Sequence, residues 1–196
     1  CIKMSRKKKS PQQLQEIATQ FECFVAILCY NTGLKTTRWD VTYRKKNGSK
    51  RQVDVEYVRR NGIYRQKTVI ECKYSSNPDA KIGVHHFMEG KDQKKDQKKK
   101  IKENLIREVD ERRLYVDAYK AILVTNAYYT KELKADAEEH KVQLWDREVL
   151  EKKVREARSL FGLGKVRLPN FRSLEQMIAK TNVERYAHLR GGSYVL

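Results

Sequence analysis

Cysteine, proline and long apolar runs are all scarce in this chain of 196 residues. It has 4 cysteines and 3 prolines, and its longest uncharged run, residues 23–34, spans only 12 residues. A helix that crosses a membrane needs about 20 consecutive apolar residues, so we expect no transmembrane segment. The basic start of the sequence is not followed by an apolar run, and we therefore expect no secretory signal peptide.

The cysteine spacing argues against both disulfides and a zinc site. Cys1, Cys23, Cys29 and Cys72 form neither a C-x-x-C pair nor the dense pattern of a small secreted protein. Cys23 and Cys29 lie in an apolar stretch and are predicted to be core residues. We expect free thiols in a reducing compartment, which is the cytoplasm, or the nucleus or an organelle if the source is eukaryotic.

Acidic residues are too few to balance the basic ones. The chain has 25 Asp and Glu against 43 Lys and Arg, which leaves a formal net charge of +18. The usual role of such an excess is to bind a polyanion. Nucleic acid, DNA or RNA, is the leading partner, and an anionic membrane surface is the competing interpretation. The 11 Tyr, 5 Phe and 2 Trp indicate a folded protein and not a disordered polyelectrolyte.

The hydrophobic periodicity predicts an α/β fold. Ser10 and Pro11 are a typical helix start, and apolar residues then recur at helical spacing up to Leu28. An antiparallel meander follows, and then helices alternate with short apolar strands. We therefore predict a mixed β-sheet flanked by helices. The predicted strands are residues 37–43, 52–59, 67–74, 118–125 and 142–145, and the predicted helices after the first are 84–89, 130–140 and 147–160.

The charge distribution divides the chain into three parts. Residues 1–10 are a basic arm, residues 11–154 form the predicted core, and residues 155–196 are a C-terminal helical extension. The core carries a Lys-rich insertion around residues 91–117, and its first twelve residues contain seven lysines. Such a run is usually solvated, but it can contact phosphates. The lysines predicted to bind nucleic acid lie in this run and in the turn of the first hairpin: Lys94, Lys95, Lys98, Lys99, Lys45 and Lys46.

Three residues of the meander have the chemistry of a phosphodiesterase. Glu71 and Lys73 are two apart on a predicted strand and share a face, while Cys72 points into the core. If Asp54 lies opposite them on the paired strand, two carboxylates and an ammonium converge. Carboxylates of this kind bind Mg²⁺, which neutralises a scissile phosphate and activates water. Lys73 would orient the water and stabilise negative charge, and Glu22 of the first helix would complete the metal shell.

Each of these residues also has an ordinary explanation. A single Glu-x-Lys is expected by chance in a protein in which 35% of residues are charged. Its placement is more specific, because it follows the apolar pair Val69 and Ile70 on a central strand. Glu and Lys are costly there unless they are paired or bind a ligand.

In these segments the sequence resembles the PD-(D/E)xK restriction-endonuclease-like nucleases, and within them the Mrr-like branch. The resemblance runs over about residues 12–154. It implies a DNA nuclease that uses Mg²⁺ or Mn²⁺, with Asp54 and Glu71 as metal ligands, Lys73 as the catalytic lysine and Glu22 as an auxiliary carboxylate. The segments that carry it are Phe21-Glu22, Gln52-Val53-Asp54-Val55, Ile70-Glu71-Cys72-Lys73-Tyr74, Val84-His85-His86-Phe87, Leu123-Val124-Thr125-Asn126 and Val142-Gln143-Leu144-Trp145-Asp146.

Two positions depart from the family pattern. Val53 stands where the name motif has Pro. Members of this branch usually carry Gln on the helix after the third strand, and the matching position here is His85. His85 keeps a hydrogen-bonding side chain and is the predicted substitute at the catalytic site.

The sequence therefore predicts a metal-dependent DNA endonuclease, restriction-like or structure-specific. One alternative is a non-catalytic module with a nuclease-like fold that binds nucleic acid, and another is a basic protein of a ribonucleoprotein particle. We expect a homodimer, because cutting both strands of a duplex generally needs two active sites.

Overall fold

In the computed structural model of the chain, residues 10–88, 101–160 and 173–196 are described. The helices are α1 (Pro11–Asn31), α2 (Leu105–Tyr115), α3 (Lys131–Glu139), α4 (Arg147–Leu160), α5 (Leu174–Ala179) and a 3₁₀ helix (Glu184–Leu189). The strands are β1 (Arg38–Arg44), β2 (Lys50–Asn61), β3 (Tyr64–Lys73), β4 (Lys81–Ile82), β5 (His85–Met88), β6 (Ile101–Asn104), β7 (Lys120–Thr125), β8 (Tyr128–Tyr129), β9 (Gln143–Trp145) and β10 (Ser193–Val195).

A six-stranded mixed sheet forms the centre of the fold, with the strand order β10-β1-β2-β3-β7-β9. The strands β1, β2 and β3 are an antiparallel meander. The strands β7 and β9 continue the sheet parallel to β3, and β10 pairs parallel with β1 at the other edge. Helices pack on both faces of this sheet. The predicted mixed sheet flanked by helices is confirmed.

Helix α1 begins where the sequence predicts. The Ser10 side chain accepts the backbone N–H of Gln13, the Gln13 side chain accepts that of Ser10, and Pro11 occupies the first turn. This reciprocal arrangement satisfies two backbone donors that have no partner inside the helix. The second half of α1 is almost wholly buried, and Gly33 follows the helix with a φ of 95°.

The sheet separates two apolar clusters. The α1-side core also contains residues of α4 and α5, and its large members include Phe21, Phe24, Leu28, Trp39, Val55, Ile70, Ile122, Trp145, Leu150, Leu174 and Ile178. The α2-side core contains Val41, Tyr43, Val53, Val69, Leu105, Ile106, Val109, Ala121, Leu123 and Leu133. Because α5 contributes to the first cluster and β10 extends the sheet, part of the predicted C-terminal extension packs with the core.

In β1 and in β2, the inward-facing side chains switch from one core to the other at an aspartate. Trp39 belongs to the α1-side core and Val41 to the α2-side core, although residues two apart on a regular strand share a face. Between them, Asp40 has a φ of 54°, a left-handed conformation that interrupts the alternation. The partner strand β2 makes the same change of side at Asp54.

One predicted helix is wrong. Residues 85–88 form strand β5, which pairs with β6, and the helix after β3 is α2, which begins only at Leu105. A short apolar run does not distinguish a helix from a strand, and this explains the error. The predicted insertion at residues 91–117 therefore overlaps a core helix. Residues 1–9 of the predicted basic arm and the lysines Lys94, Lys95, Lys98 and Lys99 lie outside the described residues.

Within the described ranges, no helix has the length and apolar character needed to cross a membrane. Cys23, Cys29 and Cys72 are free and buried, as the sequence predicts.

Candidate active site

Asp54 lies where the second and third strands separate. The antiparallel pairs of β2 and β3 run from Asn61 and Tyr64 to Val55 and Ile70. Beyond the last pair, a side chain replaces the backbone acceptor, because Oδ2 of Asp54 accepts the N–H of Cys72 at 2.7 Å. The Asp54 carboxylate therefore accepts a hydrogen bond from the backbone of Cys72, the residue between Glu71 and Lys73.

Glu71 and Lys73 share one side of β3 and contact each other. Nζ of Lys73 lies 2.9 Å from Oε1 of Glu71. Glu71 is 5% exposed, whereas the Lys73 side chain is 30% exposed and reaches solvent. The structure therefore brings the predicted trio of Asp54, Glu71 and Lys73 together at the end of β3.

Glu22 of α1 interacts electrostatically with Asp54 and Lys73 of this site. Burial, and then the nearby charges of Asp54 and Asp40, raise the pKa of Glu22 from 4.5 to about 8, and Lys73 opposes the change. Burial also raises the pKa of Asp54, against the lowering effects of the Cys72 N–H, Arg112 and Lys73. Burial is the main cause in both carboxyl groups, so their surroundings favour the protonated form of each.

Two charged residues of α2 belong to the site, although the sequence analysis does not predict them. Arg112 forms an ion pair with Oε2 of Glu71 through Nη1, and its Nη2 lies 3.0 Å from Oε1 of Glu108. Burial lowers the pKa of Arg112, and Asp54 opposes this. The spacing of four residues places Glu108 and Arg112 side by side on a helix. That spacing could have identified Glu108 and Arg112 as a pair on one helix face. The pair is missed because the sequence prediction assigns residues 91–117 to an insertion.

Asn126, which follows β7, fixes the position of the loop after β3 through hydrogen bonds to Ser75. The amide of Asn126 is fully buried, and it accepts the backbone N–H of Ser75 at 2.7 Å and donates to the Ser75 carbonyl at 2.8 Å. Ser75 lies two residues after Lys73. Asn126 therefore holds the loop that begins after Lys73 at the end of β3.

The remaining predicted residues occupy other places. His85 begins β5 and does not lie on the predicted helix, and the position of its side chain lies outside the described residues. Lys45 and Lys46 are exposed in the turn between β1 and β2. Nζ of Lys45 lies 4.3 Å from the ring centroid of Tyr115, which places this turn beside the end of α2.

The donor set fits a hard cation held by two carboxylates. Within the part of the chain that is described, no three His, Cys, Asp or Glu side chains form a group that could hold a metal ion. Mg²⁺ is nevertheless commonly bound through one or two carboxylates, with water and substrate phosphate completing its octahedron. Asp54 has a second carboxylate oxygen besides the one bound to Cys72. Both oxygens of Glu71 pair with Lys73 and Arg112, so a cation that binds Glu71 would compete with one of these partners.

One family model matches part of the chain. Residues 92–154 match the family model Mrr_cat, described as restriction endonuclease. No curated protein matches the chain. The match includes α2 with Arg112 and the Asn126 segment, but it does not extend to Asp54, Glu71 or Lys73.

Three solved structures are similar to the chain at low identity. A protein of unknown function, AF1548, is 16% identical with a TM-score of 0.47, over 88% of this chain and 98% of that one. The DNA modification-dependent restriction endonuclease AspBHI is 16% identical with a TM-score of 0.45, over 81% and 40%. The MspJI restriction endonuclease, in complex with a 27-mer oligonucleotide, is 13% identical with a TM-score of 0.48, over 97% and 41%. The chain spans about two fifths of the two named endonucleases.

The predicted resemblance to the Mrr-like branch is confirmed by the family match. The chain contains a restriction-endonuclease-like segment, and a nuclease activity is the coarse function that this segment indicates.

Proposed function

We propose that this restriction-endonuclease-like chain is a metal-dependent DNA endonuclease that hydrolyses phosphodiester bonds. The observation that carries the proposal is the convergence at the end of β3. The Asp54 carboxylate binds the N–H of Cys72 at 2.7 Å, and the residues on either side of Cys72 form a 2.9 Å ion pair. Two carboxylates and an ammonium at one point are the groups that phosphodiester hydrolysis needs.

Asp54 and Glu71 would hold Mg²⁺ or Mn²⁺. The ion supplies positive charge at the scissile phosphate and lowers the pKa of a bound water. The hydrogen bond from Cys72 fixes the orientation of the Asp54 carboxylate before any cation binds. Glu22 would act as the auxiliary carboxylate, since after burial the nearby charge of Asp54 contributes most to raising its pKa.

Lys73 acts on the water and on the phosphate. Its ammonium is held by Glu71 and is still partly exposed, so it can donate a hydrogen bond to the attacking water and orient it. The same ammonium stabilises the negative charge that develops on the phosphoryl oxygens. Glu71 thus serves two partners, because one oxygen positions Lys73 while the other faces Arg112.

DNA is the substrate that we propose, with RNA as the alternative polyanion. The net charge of +18 and the restriction endonuclease match support it. We also propose that cleavage of both strands requires a homodimer, because one site of this kind cuts one strand at a time. Exposed Lys45 and Lys46 would contact phosphates from the turn beside α2.

The test is cleavage of supercoiled plasmid and of a branched DNA by the wild type with Mg²⁺, by the wild type with EDTA, and by Lys73→Ala with Mg²⁺. Removal of a positioned proton donor costs about 10²-fold or more in rate. Lys131→Ala is the matched control, because Lys131 is exposed on α3 and should retain wild-type cleavage. Circular dichroism checks that both variants fold.

The outcomes separate the competing functions. Metal-dependent cutting that is lost in Lys73→Ala alone supports the endonuclease, and the preferred DNA shows whether a branch is recognised. Tight, salt-dependent binding without cutting of either DNA would instead make the chain a binding module. Nicked product from a monomer and linear product from a dimer, measured by gel filtration and electrophoresis, would test the homodimer.

A further inference from the structure

A second concave surface lies on the α2 side of the sheet, beyond the proposed active site. It is a cavity of about 720 Å³ between β1, the hairpin of β2 and β3, and the chain after α2. Its lining residues are Thr36, Arg38, Tyr43, Glu56, Val58, Arg60, Arg65, Lys67, Asp117, Ala118, Tyr119 and Tyr194. The proposed metal ligands and Lys73 are not among them. We call this cavity the basic hollow.

Cations outnumber carboxylates in the basic hollow. Arg38, Arg60, Arg65 and Lys67 line it, against only Glu56 and Asp117. Glu56 is buried and accepts the hydroxyl hydrogen of Tyr43 at 2.6 Å. The Glu56 carboxylate is therefore hydrogen-bonded to Tyr43 and not to one of the cations. With four cations against two carboxylates, the hollow has a net positive charge.

Arg60 and Arg65 face each other across the hairpin. They are direct partners in the register of β2 and β3, and both are exposed. Like charges directly opposite on a sheet destabilise it. In the described part of the chain, no ion pair joins either guanidinium to a carboxylate. This pair of arginines therefore does not stabilise the fold by itself, whereas a bound anion would stabilise it by reducing the repulsion between the two guanidinium groups.

Other groups of the hollow are held in position. Nζ of Lys67 donates to the carbonyl of Val116 at 2.8 Å and lies 4.8 Å from the ring centroid of Tyr43. Tyr119 is 69% exposed at the rim, where its ring is open to a ligand. The hollow therefore combines one positioned ammonium, that of Lys67, with exposed guanidinium groups and an exposed aromatic ring at its rim.

The hollow and the proposed active site share one side of the same strand. Residues 65, 67, 69 and 71 alternate along β3 and point to the α2 side, where Val69 is part of the core. The six residue steps from Arg65 to Glu71 span about 20 Å. At 3.4 Å per base pair this separation equals the length of about six base pairs, but it is measured along the strand and not along an open surface, because Val69 is buried with residues of α2.

We infer that the basic hollow binds the sugar–phosphate backbone of the DNA whose phosphodiester lies at Asp54 and Glu71. The inference rests on the proposed function for the identity of the polyanion. Arg60 and Arg65 contact phosphates there, and the phosphate charge removes their mutual repulsion.

The test measures binding of a duplex about 30 base pairs long, roughly three helical turns, by fluorescence anisotropy in EDTA over a series of salt concentrations. Each phosphate contact contributes about 0.9 to the slope of log K against log salt. Arg60→Gln should lower the slope by about that amount and weaken binding severalfold. Arg65→Gln should have the same effect.

Arg59→Gln is the matched control. Arg59 is exposed and adjacent in β2, but it does not line the hollow, and it points to the other face of the strand. It removes the same charge and should leave the slope close to wild type. Equal slopes for Arg60→Gln and Arg59→Gln, whether both unchanged or both lowered, would overturn the inference.

Binding in EDTA separates this inference from the nuclease proposal. If the wild type cuts DNA but Arg60→Gln keeps the full salt slope, the inference fails and the nuclease stands. If no DNA is cut but Arg60→Gln loses slope while Arg59→Gln does not, the hollow binds DNA and the nuclease proposal fails. The melting temperature of Arg60→Gln should not fall below that of the wild type, because the substitution removes a repulsion.

Discussion

Arg112 of α2 forms an ion pair with Glu71 of β3, and the two residues are far apart in the sequence. The guanidinium therefore neutralises a proposed metal ligand in the metal-free protein. Glu71 is almost fully buried, and a buried carboxylate without a partner is costly. Arg112 thus stabilises the unloaded site, and it also competes with a cation for the same carboxylate.

Arg112→Met should destabilise the metal-free protein. Loss of one partner from a buried ion pair costs about 3 kcal/mol, and urea unfolding in EDTA measures it. Arg113→Met is the control, because the pair of Arg113 with Asp110 is more exposed and should contribute about 1 kcal/mol or less. Mg²⁺ should restore more stability to Arg112→Met than to the wild type, since Glu71 has lost its competitor. Equal losses in both variants would contradict the role of Arg112.

Asp54→Asn should abolish stabilisation by metal. The wild type gains stability from any ion that binds only the folded state, so its melting temperature should rise on addition of Mg²⁺. The amide oxygen of Asn can still accept the N–H of Cys72, but it lacks the negative charge that attracts the cation. Thermal melts with Mg²⁺ and with EDTA test this. A full Mg²⁺ response in the variant would show that Asp54 is not a ligand.

Glu22→Gln should change the pH dependence of stability in EDTA. The pKa of Glu22 is 4.5 in an ordinary environment and about 8 in the folded protein. Between these values the folded state retains a proton that the unfolded state has released, so the free energy of unfolding falls as pH rises. The limiting slope is about 1.4 kcal/mol per pH unit.

In Glu22→Gln this contribution is absent. The variant should equal the wild type near pH 4.5 and exceed its stability near pH 8. Denaturant titrations across that range provide the measurement. Parallel pH profiles for the two proteins would mean that Glu22 is not held neutral by its surroundings.

Gly191→Ala should weaken the attachment of the C-terminal strand. A Cβ at Gly191 would lie 2.4 Å from Cγ2 of Val41, whereas a Cβ at Gly192 would contact nothing within 4 Å. Overpacking of this kind costs about 1–3 kcal/mol. Gly192→Ala is therefore the control and should be close to neutral. Thermal unfolding of both variants tests this, and equal melting temperatures would show that β10 adjusts without cost.

The elements with strong local patterns are predictable from the sequence. The Ser10 cap and the apolar stripe define α1, and turn residues separate strands with a period of two. The spacing of Glu71 and Lys73 is sufficient to place their side chains on one face of a strand. The prediction of a joint site depends further on a register that brings Asp54 to Cys72, and the structure has that register.

Local patterns fail where chain segments from distant parts of the sequence meet. The helix predicted at residues 84–89 is a strand because its partner β6 lies beyond the Lys-rich run. The role of Arg112 is not predictable, because its ion pair with Glu71 depends on the packing of α2 against β3. The change of side at Asp40 depends on a left-handed φ, which the sequence does not show for a non-glycine residue.

By itself, the sequence determined the charge, the secondary structure with strong periodicity and the chemical types at the proposed site, because each depends on residues close together in the chain. Only the tertiary structure decided that Arg112 neutralises Glu71, that Arg60 and Arg65 line one hollow, and that Gly191 passes Val41. These are contacts between distant segments, and they depend on how the elements pack and on the strand register, which local propensities do not specify.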